Sequence, residues 1–153
     1  MHEMRRKDRL MPPKQAQTLL ENALYGVLAT SGEDHAPYGV PINYACVGDT
    51  LYFHCASKGH KLENLAANPK ASLTVVENAT LIPQSFTCSF ESVIAFGTVS
   101  VVEGGEKRIG LEALILKYSP DFWEDGVRCI ERTGTHTTVL KMKIEHLSGK
   151  VHE

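Results

Sequence analysis

The 153-residue chain lacks the features that mark membrane proteins, secreted proteins and nucleic-acid-binding proteins. It has no apolar run that approaches the ~20 residues a membrane-spanning helix needs. Its N-terminal residues carry charge but no apolar core of a secretory signal peptide. The formal net charge is −2, and the chain has no basic stripe that would suit nucleic acid. We therefore expect a cytoplasmic protein that binds neither a membrane nor nucleic acid.

Cysteine is scarce, and its spacing does not match the common zinc-binding patterns. Cys46, Cys55, Cys88 and Cys129 stand far apart and form no C-x-x-C pair, so no metal site is predicted. In a cytoplasmic chain such cysteines are reduced thiols. Cys55 lies in a predicted strand, where we interpret it as a small apolar filler, and the alternative is a redox role.

The composition that remains is typical of one globular domain. With 42% hydrophobic and 22% charged residues, residues 1–153 are expected to form a single domain in which residues 1–11 are an N-terminal arm. The periodicity predicts helices at 13–22, just after Ser57 and at 105–118, and strands at 25–30, 37–47, 51–55, 71–77, 89–103 and 137–147. A loop is predicted at 78–87, and no element is predicted at 121–134 beyond one helical turn around Phe122 and Trp123.

Three strand features predict how the sheet is arranged. Pro41 cannot donate a ladder hydrogen bond, so its strand should lie at an edge or be bulged. Gly97, in the middle of the strand 89–103, predicts a bend or bulge. That strand is apolar on both sides, so a barrel or a dimer interface must cover both faces. Short antiparallel strands avoid bare edges by closing, so we predict a mainly β fold, a six-stranded antiparallel barrel that forms a homodimer.

The segment 51–65 carries the clearest functional pattern in the chain, because a short strand leads directly into a helix. The first N–H groups of a helix lack intrahelical partners and carry partial positive charge, which suits a phosphate. Ser57 is placed to cap this helix, Gly59 allows close approach of the backbone, and Lys58, His60 and Lys61 supply cationic charge. The alternative is that Ser57 is only an N-cap and that the lysines form a solvated helix face.

Four motifs then occur in order with short gaps: Gly26-Val-Leu-Ala-Thr30, Pro37-Tyr-Gly-Val-Pro-Ile-Asn43, Tyr52-Phe-His-Cys-Ala-Ser-Lys-Gly-His-Lys-Leu62 and Phe90-Glu-Ser-Val-Ile-Ala-Phe-Gly97. Together they resemble the FMN-binding split barrels related to pyridoxamine 5'-phosphate oxidase, and they are most similar to the nitroimidazole-resistance (Nim-type) branch. The likeness extends from about Met4 to Lys150, and the segment around His60-Lys61 is its most specific part. It implies a split β-barrel that binds FMN at a homodimer interface.

The resemblance also implies roles for particular residues. The strand along the isoalloxazine ring would supply Val40, Pro41, Ile42 and Asn43, largely through backbone. The strand end at His54, Cys55 and Ala56 would lie near the ribityl chain. The junction with Ser57, His60 and Lys61 would take the phosphate, with Lys61 as its principal cation. Ser92 would reach the phosphate across the dimer from the partner subunit.

Departures from the family pattern change what the resemblance implies. The oxidases have an arginine where this chain has Tyr38 and a lysine where it has Asn43, and both normally help to neutralise the phosphate. A serine two residues before the phosphate lysine is replaced by Gly59. The helix start, Lys61 and His60 must therefore do more. The C-terminal arginine and histidine that grip pyridoxal phosphate have no counterpart here, so oxidation of pyridoxamine phosphate is not expected.

The function that the resemblance implies is an FMN-dependent oxidoreductase that reduces a small acceptor such as a nitro-aromatic compound, with a reduced nicotinamide as a candidate donor. His54 is the candidate proton donor, because an unperturbed imidazole titrates near neutral pH, and the alternative is that His54 only forms a hydrogen bond at a strand end. Three other functions stay open: a flavin-binding or sensing module, a haem protein using His60 or His136, and a protein that binds a deazaflavin.

Overall fold

The computed structural model describes residues 3–152, which form one antiparallel sheet of seven strands with four helices. The helices are α1 (Pro13–Asn22), α2 (His60–Ala67), α3 (Gly104–Tyr118) and α4 (Trp123–Thr133). The strands are β1 (Gly26–Ser31), β2 (Pro37–Ile42), β3 (Ala45–Val47), β4 (Thr50–Cys55), β5 (Lys70–Ile82), β6 (Thr87–Val102) and β7 (Thr138–His152). Their order across the sheet is β2-β1-β5-β6-β7-β4-β3.

The two edges of the sheet, β2 and β3, are neighbours in the sequence, and no ladder joins them within residues 3–152. The expectation of one strand over 37–47, and with it a total of six strands, is therefore wrong. The chain breaks at Asn43 and Tyr44 because side chains occupy its polar groups there. The Tyr44 N–H donates to the Tyr118 hydroxyl (3.1 Å), and Asn43 Nδ2 donates to the Leu24 carbonyl (3.0 Å). Pro41 lies in an edge strand, as predicted.

The hairpin between β5 and β6 is longer than the sequence predicted, so the expected loop over 78–87 is wrong. Both strands continue through most of this segment and are joined by a 3-10 turn at Pro83–Ser85. A register shift between Glu77 and Thr80 interrupts their ladder, with Asn78 at φ 56°. This irregularity and the exposure of the hairpin remove the apolar alternation that marks a strand. Leu81 and Phe86 are 77% and 98% exposed there.

The bulge predicted at Gly97 is confirmed, and it changes the orientation of β7. Gly97 pairs with Ile144 whereas Phe96 pairs with His146, so Glu145 is an extra residue in β7. A side chain at Gly97 has no room, because its Cβ would lie 2.1 Å from the Lys143 carbonyl oxygen. The regular alternation of residues 137–147 predicts that His146 shares a face with Ile144, and this prediction is wrong because the extra residue shifts His146 to the face of Phe96. β7 also extends to His152 rather than ending at residue 147.

The core lies on the concave face of the sheet, where alternate residues of the central strands meet α1 and α2. Its largest fully buried side chains are Tyr44, Phe53, Leu20, Leu28, Leu51, Leu73, Leu140 and Met142. α1 begins after Pro12, as the proline pair predicted. The N-terminal arm is attached at its end, since Leu10 bridges to Lys150 and the Met11 N–H donates to the Gly149 carbonyl (2.9 Å). Met1 and His2 of the arm lie outside the described residues.

The segment 121–134 contains a complete helix, α4, where only one turn was expected. α4 packs against α3 at Gly126, whose Cβ would lie 2.7–2.9 Å from the Ile115 side chain. None of the α4 residues is fully buried, yet the helix is amphipathic, because Trp123, Val127 and Ile130 recur at helical spacing. Between residues 3 and 152 we find no helix with the length and apolarity needed to cross a bilayer.

Candidate functional site

The start of α2 is the first component of the candidate site. The helix begins at His60, and Gly59 is its N-cap, with φ 147° and no side-chain cap. The Gly59 carbonyl accepts the N–H groups of Leu62 (3.0 Å) and Glu63 (3.2 Å). The expectation that Ser57 caps the helix is therefore wrong, because the left-handed conformation of Gly59 starts the helix two residues later. The N–H groups at this start point outward and have no intrahelical partner.

One buried and one partly buried hydrogen bond fix α2 on the sheet and so fix the direction of its first turn. Asn64 Nδ2 donates to Thr30 Oγ1 (3.1 Å), and both side chains are buried. One turn later, Asn68 Nδ2 donates to Ser31 Oγ (3.1 Å). Position 32 has room only for glycine, because a Cβ there would lie 2.6 Å from Asn64 Oδ1. The helix start is therefore held at the end of β1 by polar contacts that a shift of α2 would break.

The side chains around this helix start come from three elements. The His60 ring stacks on the Tyr38 ring of β2, with 4.0 Å between centroids and 37° between planes. Lys61 is half-buried and lies close enough to Cys55 for its charge to act on that thiol. Burial raises the pKa of Cys55, and the charge of Lys61 opposes that rise only in part. Cys55 also packs against the core, so it is a protonated thiol at neutral pH.

The edge strand β2 lies beside this helix start through the contact between Tyr38 and His60. Val40 and Ile42 direct their side chains toward the core, while Pro41 is exposed. One side of β2 pairs with β1, and the other side has no ladder partner within residues 3–152. The free side of β2 therefore offers backbone N–H and C=O groups to a ligand, apart from the missing donor at Pro41.

Asn43 and His54 meet at a cavity of about 690 Å³ between the sheet and the helices α3 and α4. His54 is exposed and pairs with Val139 of β7. Tyr118 also lines this cavity, and its hydroxyl donates to the Leu24 carbonyl (2.6 Å). The contribution of α4 was not predicted from the sequence, although Asp125, Cys129 and Thr133 recur at helical spacing and all line the cavity.

Ser92 lies apart from the other predicted residues. It lines a second cavity of about 840 Å³ between the N-terminal arm and the outer face of β6 and β7, whose lining includes Lys7, Leu10, Ile94, Phe96, His146 and Lys150. None of the other predicted site residues lines that cavity. Ala56 and Ser57 are exposed in the connection between β4 and α2. Within residues 3–152, no group of three or more histidine, cysteine or acidic residues is arranged to hold a metal ion.

Comparison with known proteins identifies relatives over most of the chain. A family model described as pyridoxamine 5'-phosphate oxidase matches residues 12–151, a range that includes every predicted site residue. An uncharacterised protein of Rhizobium meliloti is 34% identical over 98 residues. That alignment covers 61% of this chain, and the chain spans only 59% of the relative's length.

Two solved structures share the fold. One is a Bacteroides thetaiotaomicron protein named for a proposed role in 5-nitroimidazole antibiotic resistance, which superposes with a TM-score of 0.76 at 23% identity and covers 99% of this chain and 96% of its own. The other is a Mycobacterium smegmatis protein named as binding FAD and haem, with a TM-score of 0.75 at 25% identity, covering 93% of this chain and 72% of its own. The arrangement of strands and helices is therefore that of known relatives.

Proposed function

The chain belongs to the pyridoxamine 5'-phosphate oxidase family, and on that premise we propose that it is a cytoplasmic, homodimeric FMN-binding oxidoreductase that reduces a small acceptor such as a nitro-aromatic compound. The observation that carries the proposal is the start of α2, where unpaired N–H groups, Lys61 and His60 converge beside a free sheet edge. When bound, FMN would supply the redox chemistry, while this chain would bind and orient the flavin and control access of water.

The helix start fits a phosphate in both shape and charge. A Cβ placed at Gly59 would have no heavy atom within 4 Å, so the space in front of the first turn is open. Outward N–H groups and the positive end of the helix dipole favour an anion there. Lys61 adds a full charge, and a hydrogen bond to a charged group contributes about 1.5–3 kcal/mol. Glu63, in the same turn, is exposed and therefore weakens the site only slightly.

The isoalloxazine ring would lie along the free side of β2, from Val40 to Asn43. The side chains of Val40 and Ile42 face the core, so this strand would contact the flavin through its backbone, as the resemblance implied. His54 and Asn43 would then lie at the far end of the ring, where they line the 690 Å³ cavity. His54 is exposed there and is the candidate to donate a proton to the reduced acceptor.

A second copy of the chain would cover the outer face of β6. Ile94 and Phe96 are half-buried on this face although the single chain leaves a cavity of about 840 Å³ over them. Apolar side chains around such a cavity favour burial against a partner. Pairing of this face would also bring Ser92 toward the flavin phosphate of the other subunit.

The names of two similar proteins motivate the proposed acceptor and an alternative cofactor. The Bacteroides protein is named for a role in nitroimidazole resistance, so a nitro-aromatic acceptor is proposed, with a reduced nicotinamide as the donor. The Mycobacterium smegmatis protein is named as binding both FAD and haem, which favours haem binding through His60 or His136 as the second candidate. Flavin absorption bands in the purified protein would support the first candidate, and a sharp Soret band would support the second.

Replacement of Lys61 tests the phosphate site directly. We expect Lys61→Ala to weaken FMN binding by about 10–150-fold, which corresponds to the loss of about 1.5–3 kcal/mol. Binding of riboflavin, which lacks the phosphate, should change little. Lys14→Ala is the matched control, because Lys14 is an exposed lysine in the first turn of another helix, α1. Both affinities are measured by quenching of flavin fluorescence. Equal losses for FMN and riboflavin, or an unchanged FMN affinity, would contradict the proposed site.

A further inference from the structure

The cavity between α3, α4 and the sheet has the size of a pocket for a small organic molecule. Its volume of about 690 Å³ lies within the range of about 300–1,000 Å³ that such pockets occupy. Leu111, Leu114 and Ile115 of α3 face Ile130 of α4 across it, and Phe122 lies where the two helices are connected. The site residues Asn43 and His54 form part of its wall on the sheet side. The cavity therefore continues from the proposed flavin edge into an apolar space.

The lining of this cavity, among the described residues, offers an anion no lysine or arginine to pair with. Its one carboxylate, Asp125, forms an ion pair with Arg128 on the exposed side of α4. The remaining polar groups are the imidazole of His54, the thiol of Cys129 and neutral hydroxyl and amide groups, such as those of Thr133 and Thr137. A ligand that carries a carboxylate or phosphate would lose its hydration without meeting a lysine or arginine, and pairing with a protonated His54 would take away the proton that His54 is proposed to donate. The walls instead suit an apolar ring with a few hydrogen-bonding groups.

We propose that this cavity binds the electron acceptor, and that it selects a neutral aromatic molecule of one or two rings over an anionic molecule of the same size. The inference rests on the proposed function, because it takes His54 and Asn43 to adjoin the flavin. The inference adds to that function the place where the acceptor binds, its chemical class and the residues that select this class. The phosphate of the flavin and the acceptor would then occupy two different parts of the chain, one cationic and one apolar.

Cys129 provides direct access to this cavity for experiment. It lines the cavity from α4, is exposed, and has its Sγ 3.7 Å from Thr133 Oγ1. The other cysteines are half-buried, and none of them lines this cavity. Alkylation of Cys129 therefore reports on whether the cavity is occupied, and Cys88 serves as the internal reference. A large side chain at position 129 would fill the space that the acceptor needs.

The first test uses the protein without flavin. N-ethylmaleimide labelling is followed by peptide mass spectrometry in the presence of 4-nitrobenzyl alcohol, which is neutral, or of 4-nitrobenzoate, which is its anionic counterpart. We expect the alcohol to slow the labelling of Cys129 by about tenfold and the benzoate to leave it unchanged, with Cys88 unaffected by either. Equal protection by both compounds would contradict the selection against anions, and protection by neither would contradict the pocket.

The second test uses the flavin-loaded protein. Cys129→Trp should raise the KM for 4-nitrobenzyl alcohol by at least about tenfold, while reduction of ferricyanide and the affinity for FMN stay unchanged. Arg132→Trp is the matched control, because Arg132 is exposed on α4 and does not line the cavity. An unchanged KM in Cys129→Trp would overturn the inference. If the wild-type protein binds no flavin, the proposed function fails, and the labelling experiment still reports on the cavity.

Discussion

The hydrogen bond between Asn64 and Thr30 is the contact that most directly connects the fold to the site. The two side chains are 6% and 5% exposed, and their atoms lie 3.1 Å apart. Thr30→Val would leave the buried Asn64 amide without its partner, at a cost of about 1–3 kcal/mol. Asn64→Ala would leave the Thr30 hydroxyl unpaired and would also remove the contact that holds α2 against β1.

A double-mutant cycle measures this bond. Because Thr30→Val combined with Asn64→Ala removes both partners, we expect the double variant to lose less stability than the two single variants together, by about 1 kcal/mol. Urea unfolding at pH 7 gives the four free energies of unfolding, those of the wild type, the two single variants and the double variant. Thr80→Val, at an exposed position in β5, is the control and should change stability by no more than about 0.5 kcal/mol.

The same variants test the link to function. A change in the position of α2 alters the direction of its first N–H groups, so Thr30→Val should weaken FMN binding several-fold while riboflavin binding is less affected. Strict additivity of the unfolding free energies would show that the two side chains are not coupled. If both single variants bind FMN as tightly as the wild type, the position of α2 does not determine phosphate binding, and the proposed link is refuted.

Two further predictions concern the sheet and the helix α3. Gly97→Ala should destabilise the protein by about 3 kcal/mol or more in urea unfolding, because its Cβ would lie 2.1 Å from the Lys143 carbonyl oxygen, whereas Gly105→Ala has open space and should not lower the midpoint. Burial lowers the pKa of Lys117, so the folded state binds fewer protons than the unfolded state between that lowered pKa and 10.5. By itself Lys117 therefore contributes stability that rises with pH in this window, whereas the pKa values of Cys46 and Tyr44, which burial raises, contribute stability that falls. Relative to the wild type, Lys117→Met, but not the exposed control Lys58→Met, should lose stability as the pH rises through the window. Tolerance of Gly97→Ala, or an identical pH profile in Lys117→Met, would contradict these assignments.

Much of the fold follows from local chemistry that the sequence displays. Pro12 and Pro13 placed the start of α1, Pro41 placed its strand at an edge, and Gly97 marked the bulge. Each of these residues restricts the backbone by itself, whatever lies elsewhere in the chain. For the same reason, Gly59 could be expected at the start of α2, although the role of N-cap was assigned to Ser57.

The features that the sequence did not predict depend on contacts between distant segments. The break between β2 and β3 requires Tyr118, whose hydroxyl accepts the Tyr44 N–H. The face of His146 depends on the bulge opposite Gly97, which shifts every later residue of β7. α4 completes the cavity near His54, and its apolar residues recur at helical spacing, but Gly126 within the helix lowers its local helix propensity and no residue of it is fully buried. The cavity between the sheet, α3 and α4 could therefore be located only from the structure.

The central claim is that the start of α2 holds the phosphate of a flavin. A crystal structure of the protein with FMN tests this claim most directly. We expect the phosphate to lie within hydrogen-bonding distance of the N–H groups at His60 and Lys61, with Lys61 Nζ beside it. An FMN whose phosphate instead lies in the groove of Ser92 and Lys150, with the start of α2 empty, would contradict it.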